Sequence, residues 1–266
     1  MTVKDLQAVF AKCKAENRAA FVPYVTAGFP SKDATVEQML ALQEGGADII
    51  ELGMPFSDPM ADGPTIQASS FAALAQGVVL KDCFEFTKQA RKRGLTCPVI
   101  LMGYCNPFVQ HGEENLVNDS ADATISGFIV VDLSGREAVQ FAKTCAKRDL
   151  AYVPLVAPTS TDKRLAEIGA YASGYVYCVS VAGVTGARDE LPEDLGDFCK
   201  RVKKHFTVPL CVGFGLNKRS HVTQVAKVAE GAVIGSQIIK TIEAAGSDVK
   251  AQCDALRSYA KSVTTD

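Results

Sequence analysis

The chain has 266 residues, 47% of them hydrophobic and 22% charged, and its formal net charge is −2. This length fits one large α/β domain or two small ones, and the balanced charge argues against binding to nucleic acids or membrane surfaces. No apolar run approaches the ~20 residues that a membrane span needs. We therefore expect a soluble cytoplasmic protein, with a plastid location left open, that binds neither nucleic acid nor membrane.

A unit of a short apolar strand, a loop with Gly, Pro or Asp, and an amphipathic helix repeats along the chain. The eight predicted strands are residues 20–26, 47–52, 98–102, 127–131, 151–156, 174–179, 208–212 and 231–234. The eight predicted helices are residues 34–44, 82–92, 113–123, 136–148, 162–172, 195–206, 219–228 and 248–262.

Eight such units without an intervening linker predict one (β/α)8 TIM barrel that occupies residues 1–266 as a single domain. A doubly wound sheet is the alternative. It would need a G-x-G-x-x-G turn after the first strand, where the chain instead reads Thr-Ala-Gly-Phe-Pro.

Two acids, one at the end of the second predicted strand and one in the loop after it, form the strongest candidate site. Alternation puts Ile49 and Glu51 on one face of an otherwise apolar strand, so Glu51 is a half-buried acid with a raised pKa. Asp62 lies in a loop of turn-forming residues, where we expect it to stay ionised. Two carboxylates in unlike settings suit an acid–base pair. The alternative is that Glu51 pairs with a buried base and Asp62 caps a turn.

The loops after the other strands, numbered by the predicted strand before each, carry further site candidates. Loop three, residues 103–107, puts a Tyr and an Asn at a strand mouth, and loop six, residues 180–188, reads as a mobile lid or an ordinary surface loop. Residues 213–215 in loop seven and Gly235-Ser236 in loop eight predict a phosphate cradle, because glycines let backbone N–H groups approach an anion.

Cysteine and histidine spacing gives no sign of a disulfide framework or a metal centre. Nine cysteines run from Cys13 to Cys253 without a C-x-x-C pair, and the odd count favours reduced thiols. The histidines at 111, 205 and 221 lie far apart, so we predict no metal site.

The strand-end motifs resemble those of the α subunit of tryptophan synthase over nearly the whole chain. The matching segments are residues 21–28 (FVPYVTAG), 51–59 (ELGMPFSDP), 61–64 (ADGP), 103–107 (GYCNP), 184–186 (VTG), 213–215 (GFG) and 235–236 (GS). The resemblance implies a TIM-barrel lyase of tryptophan biosynthesis that cleaves indole-3-glycerol phosphate to indole and glyceraldehyde 3-phosphate by a retro-aldol reaction. It implies no cofactor in this chain, and a β subunit or β domain that uses pyridoxal phosphate to join the tunnelled indole to serine.

The resemblance also implies roles for individual residues. Glu51 becomes the catalytic acid, Asp62 the partner of the indole N–H, and Tyr177 an active-site tyrosine. The substrate-binding positions are Tyr24 at the indole ring, Thr185 on the closing loop, and Gly186, Gly213, Gly215, Gly235 and Ser236 at the phosphate. Three departures from the family pattern, Thr124, Ser134 and Val181, leave local loop geometry open.

Loops two and three also predict a partner surface. They present Pro, Phe and Asn side chains beyond what catalysis needs, so we expect the β partner to dock on Pro55, Asp58 and Asn106. The sequence leaves open whether the chain stands alone or leads an α–β fusion, although residues 46–59 and 100–107 look like eukaryotic fused forms.

Two rival functions are less well supported. An indole-glycerol-phosphate synthase would need a catalytic Lys at a strand end, and none appears there. A non-catalytic barrel that binds phosphate ligands to regulate a partner would not need both Glu51 and Asp62.

Overall fold

The computed structural model describes residues 1–179, 191–213 and 215–265. Its helices in these ranges are α1 (Val3–Ala15), α2 (Ala34–Glu44), α3 (Pro64–Ala75), α4 (Leu80–Lys92), α5 (Cys105–His111), α6 (Glu113–Asp122), α7 (Gly135–Ala146), α8 (Asp162–Gly169), α9 (Leu195–Lys203), α10 (Arg219–Ala226), α11 (Ser236–Ala244) and α12 (Val249–Thr264). Its strands are β1 (Ala20–Thr26), β2 (Ile50–Gly53), β3 (Val99–Gly103), β4 (Gly127–Val130), β5 (Ala151–Tyr152), β6 (Leu155–Val156), β7 (Val176–Val179), β8 (Leu210–Gly213) and β9 (Gly231–Ile234).

The strands form one parallel sheet in the order β5-β4-β3-β2-β1-β9-β8-β7-β6. The two edge strands are halves of the single predicted strand 151–156. Val153 donates its N–H to Phe128 O at 2.9 Å, and Pro154 O accepts the N–H of Tyr177 at 2.9 Å, so this segment joins both edges. Proline has no N–H for a ladder, and the strand changes its partner there. The ring therefore closes, and the predicted TIM barrel is confirmed.

Two apolar layers hold the barrel together. Side chains such as Val22, Ile49 and Ile100 fill its interior, and Leu6 and Phe10 of α1 pack on them and cover the amino ends of the strands. A larger cluster lies between the outer face of the sheet and the surrounding helices. Because parallel strands are covered on both faces, their sequences read as continuous apolar runs. Ile49, predicted to share a strand face with Glu51, lies in the inner layer.

Four helices in the described residues are additional to the eight predicted ones, namely α1, α3, α5 and α11. Pro64, which reads as a turn former, is instead the first residue of α3, where its fixed φ and missing N–H suit a helix start. The α3 sequence mixes Ala and Ser around the helix, so no polar face marks it. The α5 helix has only seven residues, too few to show a period, and α11 is a nine-residue helix that begins at Ser236 of the predicted phosphate cradle.

No helix within the described residues is long and apolar enough to cross a membrane. All nine cysteines are free, and every one except Cys105 is buried. Burial raises the pKa of these thiols, for instance that of Cys83 to about 12, so they act as packing residues.

Candidate active site

Glu51 is the second of the four residues of β2, inside the mouth of the barrel. It is paired in register with Tyr24 of β1 and Ile100 of β3, and only 1% of its surface is exposed. The hydroxyl of Tyr175 donates a hydrogen bond to Glu51 Oε1 at 2.7 Å. Burial raises the pKa of Glu51 to about 8, and the hydrogen bond from Tyr175 opposes this rise. The raised pKa predicted for Glu51 is thus confirmed, and the carboxyl is suited to donating a proton near neutral pH.

Asp62 lies near the end of loop two, residues 54–63, which joins β2 to α3. Its Oδ2 accepts a hydrogen bond of 2.8 Å from the hydroxyl of Tyr104, and its backbone carbonyl accepts one from Gln67. Burial raises the pKa of Asp62, and the Tyr104 hydrogen bond lowers it again. The loop folds back over the strand ends and partly buries this carboxyl, while the Tyr104 hydroxyl gives it a polar neighbour.

The two tyrosines assigned to the site lie close to both acids. Burial raises the pKa of Tyr177 well above its ordinary value, and the negative charges of Glu51 and Asp62 add to this. Burial likewise raises the pKa of Tyr24, with contributions from the same two acids. The structure therefore brings Glu51, Asp62, Tyr24 and Tyr177 together at one end of the barrel.

Each of these tyrosines reaches across the end of the neighbouring strand at a glycine. A Cβ added at Gly213 would lie 2.0 Å from Tyr177 Oη, and one added at Gly53 would lie 2.1 Å from Tyr24 Oη. Any side chain at either position would displace the phenol. Gly213 was predicted only as part of a phosphate cradle, but it also admits the Tyr177 hydroxyl.

The remaining phosphate candidates lie in loops seven and eight. Gly215 has a φ of +83°, a conformation that side chains rarely adopt. Gly235 precedes Ser236, the first residue of α11, and a Cβ at Gly235 would lie 3.7 Å from Cβ of Tyr24. The N-terminus of α11 is thus next to the barrel mouth, where backbone N–H groups attract anions.

The predicted partner residues differ in their exposure to solvent. Asp58 and Asn106 are exposed, but Pro55 is buried, so the expectation that loop two presents Pro55 to a partner is wrong. Pro55 is the second residue of loop two and is buried where the loop begins to fold back over the strand ends. Two large apolar side chains are exposed instead, Met60 of loop two at 79% and Val109 of α5 at 63%.

Two tyrosines at the site were not assigned from the sequence. Tyr175 is fully buried beside Glu51, and Tyr104 binds Asp62. Tyr175 could have been found by alternation, because it shares a strand face with Tyr177. The position of Tyr104 at a strand mouth was noted, but nothing in the sequence indicates that it contacts Asp62.

Several predicted residues lie outside the described part of the chain. These are Thr185 and Gly186 of loop six, Val181 in the same loop, and Phe214 of loop seven. Among the described residues, no group of three or more His, Cys, Asp or Glu side chains is placed to hold a metal ion.

Comparison with known proteins gives a consistent set of matches. The family model described as tryptophan synthase alpha chain matches residues 10–265. The alpha chain of Roseiflexus sp. (strain RS-1) is 45% identical over 94% of this chain and 96% of its own length. Tryptophan synthase of Saccharomyces cerevisiae is 47% identical over 89% of this chain, which spans only 34% of that longer protein.

A solved structure extends this likeness to three dimensions. The tryptophan synthase alpha subunit of Legionella pneumophila superposes with a TM-score of 0.87 at 36% identity. The match covers 99% of this chain and 98% of that one.

Proposed function

The chain belongs to the tryptophan synthase alpha chain family, and from this premise we propose that Glu51 and Asp62 perform the proton transfer and charge stabilisation of the family reaction. That reaction cleaves indole-3-glycerol phosphate in tryptophan biosynthesis and makes this chain a carbon–carbon lyase. The observation that supports these roles best is the buried Glu51 carboxyl, with a pKa of about 8, at the barrel mouth beside a second acid.

The chemistry needs one net proton transfer from a hydroxyl to the indole ring. The protonated Glu51 carboxyl donates its proton to indole C3, which leaves a positive charge on N1 that the Asp62 carboxylate stabilises by accepting the N1–H hydrogen bond. The hydroxyl next to C3 then gives its proton to the Glu51 carboxylate. As the aldehyde forms, the bond from C3 to the glycerol chain breaks and its electrons restore the indole ring.

The two tyrosines enclose the ring between the acids. Tyr24 is only 7% exposed and Tyr177 only 6%, and their hydroxyl groups lie at the ends of neighbouring strands over glycines. Flat apolar rings in this position suit the contact with indole. The assignment of Thr185 and Gly186 to loop closure stays a prediction.

The phosphate is held by loops seven and eight in this proposal. Gly213, Gly215 and Gly235 allow a close approach of the backbone, and Ser236 adds a hydroxyl at the start of α11. Helix N-termini favour anions because their first N–H groups have no intrahelical partner. Because Gly235 lies next to Tyr24, the phosphate would sit at one side of the indole pocket.

Family membership implies a β partner in the complex. We propose that the β partner docks on the exposed parts of loops two and three, around Asp58 and Asn106. Pyridoxal phosphate is then bound by the β partner and not by this chain. The cytoplasmic location and the single-domain organisation also stay predictions.

Indole release from indole-3-glycerol phosphate tests the assignment of the two acids. Glu51→Gln should lower kcat by ~10²-fold or more, because the amide keeps the shape but has no transferable proton. Asp62→Asn should also lower kcat, since it loses the charge that stabilises N1. Asp58→Asn is the matched control, because it removes an exposed acid of the same loop and should leave the activity of the isolated chain intact. A Glu51→Gln variant with the parent rate would refute the proposed mechanism.

Replacing Gly215 by Val tests the phosphate site separately. The side chain would be strained at this φ and would occupy the space of the anion, so KM should rise strongly. The Gly77→Ala variant is the control, because Gly77 also has a positive φ but no neighbour within 4 Å. Binding of glycerol phosphate at another place in a crystal would contradict this site.

A further inference from the structure

The side chain of Tyr104, directly after β3, contacts loop two at three points. Tyr104 follows β3 directly, forms the N-cap of α5, and is only 6% exposed. Its hydroxyl accepts the N–H of Ala61 at 3.0 Å and donates to Asp62 Oδ2 at 2.8 Å. Its ring stacks on Phe56, with centroids 4.9 Å apart and an interplanar angle of 24°. One phenol therefore joins the start and the end of the loop that carries Asp62.

We propose that Tyr104 is the positioning residue that orients the Asp62 carboxylate toward the substrate N–H, an inference that rests on the function proposed above for Asp62. The hydroxyl is well placed for this because it uses both of its hydrogen-bonding roles on loop two. Accepting from Ala61 orients the O–H, and the single proton then points to Asp62 Oδ2. The carboxylate is fixed in rotation as well as in position.

The arrangement leaves one oxygen of Asp62 for the substrate. Within the described residues, Oδ1 receives no hydrogen bond, whereas Oδ2 is occupied by Tyr104. A carboxylate oxygen held in this way can accept the N1–H of the indole without first reorienting. Groups whose geometry is set before the reaction contribute most to stabilising charge that develops during it.

Tyr104 also supports the charged state that this role requires. Burial favours the neutral form of Asp62, and the hydrogen bond from Tyr104 favours the carboxylate. The other titratable groups near this acid are Tyr24, Tyr177 and Glu51, and burial favours the neutral form of each. Among the described hydrogen bonds, the one from Tyr104 is thus the contact that favours a negative charge at this position.

Tyr104→Phe is the test, because it removes the hydroxyl and keeps the ring that stacks on Phe56. We expect kcat for indole release to fall by about tenfold, the size of effect that misplacing a reacting group produces, while KM changes by less than about threefold. Tyr152→Phe is the matched control. The Tyr152 hydroxyl donates a hydrogen bond too, to the backbone carbonyl of Leu133 at 3.3 Å, but Tyr152 lies in the layer between sheet and helices. The kcat of Tyr152→Phe should therefore stay within about twofold of the parent.

The Asp62→Asn background distinguishes positioning from a loss of stability. If Tyr104 acts through Asp62, adding Tyr104→Phe to Asp62→Asn should lower kcat by less than about twofold more. The low-pH limb of kcat/KM should also move to higher pH in the Tyr104→Phe single variant, because the pKa of Asp62 loses its lowering contact.

Two results would overturn the proposal. One is a Tyr104→Phe enzyme whose kcat is within about twofold of the parent, and the other is an equal fold-loss from Tyr104→Phe in the parent and in the Asp62→Asn background. A parent chain that releases no indole, with or without the β subunit, would instead overturn the proposed function itself.

Discussion

At the scale of single residues, burial decides the proton chemistry of this site. Glu51 has no charged partner among the causes of its shift, and its pKa rises to about 8 because the barrel mouth excludes water. A carboxyl group that is neutral at physiological pH can donate a proton, which an exposed carboxyl cannot do there.

The pH dependence of turnover should reflect the two acids in opposite ways. Because Glu51 must be protonated, kcat/KM should fall as the pH rises through about 8. Because Asp62 must be ionised, activity should also fall as the pH drops through the raised pKa of that group. Steady-state kinetics from about pH 5 to about pH 10 measure both limbs. A profile that stays flat through the alkaline range would contradict the role of Glu51.

Because its pKa is raised, Glu51 should lower the free energy of unfolding at alkaline pH. The pKa rises on folding from 4.5 to about 8, so the folded protein holds a proton that the unfolded chain has lost over this interval. The free energy of unfolding should therefore decrease across it, by up to about 1.4 kcal/mol per pH unit. Glu51→Gln removes this dependence and should be more stable than the parent by a few kcal/mol near pH 9.

Urea denaturation at about pH 5 and about pH 9 checks this effect. The advantage of Glu51→Gln should shrink toward pH 5, where the parent carboxyl is neutral when folded. Asp58→Asn, which changes an exposed acid, should follow the parent at both values. Equal pH dependence in the parent and in Glu51→Gln would show that the buried carboxyl is not neutral in the folded state.

At the scale of elements, close approaches between neighbouring strands explain which glycines the site needs. Gly213→Ala should push the end of Tyr177 away, because the added Cβ would lie 2.0 Å from its hydroxyl oxygen. We expect kcat to fall by about tenfold. Gly196→Ala is the control, because its Cβ would lie an ordinary 3.7 Å from Val228 and should leave kinetics unchanged. Parent-like turnover in Gly213→Ala would show that Tyr177 tolerates displacement.

The turn between α6 and β4 carries a residue in a conformation that suits it poorly. Thr124 has a φ of +59°, which is costly for a β-branched side chain. Its hydroxyl and carbonyl oxygens accept hydrogen bonds from Arg91. Thr124→Asn keeps a side-chain oxygen for Arg91 and tolerates this backbone, so it should raise the free energy of unfolding by about 1 kcal/mol.

Chemical denaturation of Thr124→Asn beside Thr207→Asn measures this strain. Thr207 is exposed and has no positive φ, so its replacement should change the free energy of unfolding by less than about 0.5 kcal/mol. A Thr124→Asn protein that is less stable than the parent would mean that the turn accommodates Thr without strain.

At the scale of the whole molecule, the strand-mouth face combines the site with exposed apolar groups. Val109→Asp should weaken binding of a β subunit by at least about tenfold, because it puts a charge into a desolvated contact, and Asn106→Asp should do so to a smaller degree. Calorimetric titration against the β subunit measures both. Phe71→Asp is the control, since Phe71 is 49% exposed but lies on α3, about two helical turns beyond the end of loop two. Unchanged affinity in Val109→Asp would place the partner elsewhere.

The sequence by itself determined the features that depend on near neighbours in the chain. Alternation and apolar runs predicted the eight barrel strands and the placement of Ile49 and Glu51 on one strand face, which the structure turns toward the barrel interior. They also predicted a raised pKa for Glu51, since a carboxyl on a buried strand is shielded from water whichever residues surround it. The loop after the second strand placed Asp62 at the barrel mouth, because parallel strands all end at one mouth, whereas Tyr177 was assigned by the family resemblance.

Only the tertiary structure decided which side chains meet across that mouth. Tyr175 binds Glu51 from 124 positions away, and Tyr104 binds Asp62 from 42 positions away. Loop two folds back over the strands, which buries Pro55 and partly buries Asp62, and Pro154 divides one strand between two partners. These outcomes depend on the path of loop two and on the closure of the strands into a barrel. The residues that contact each other across the barrel mouth leave no periodic signal in the sequence.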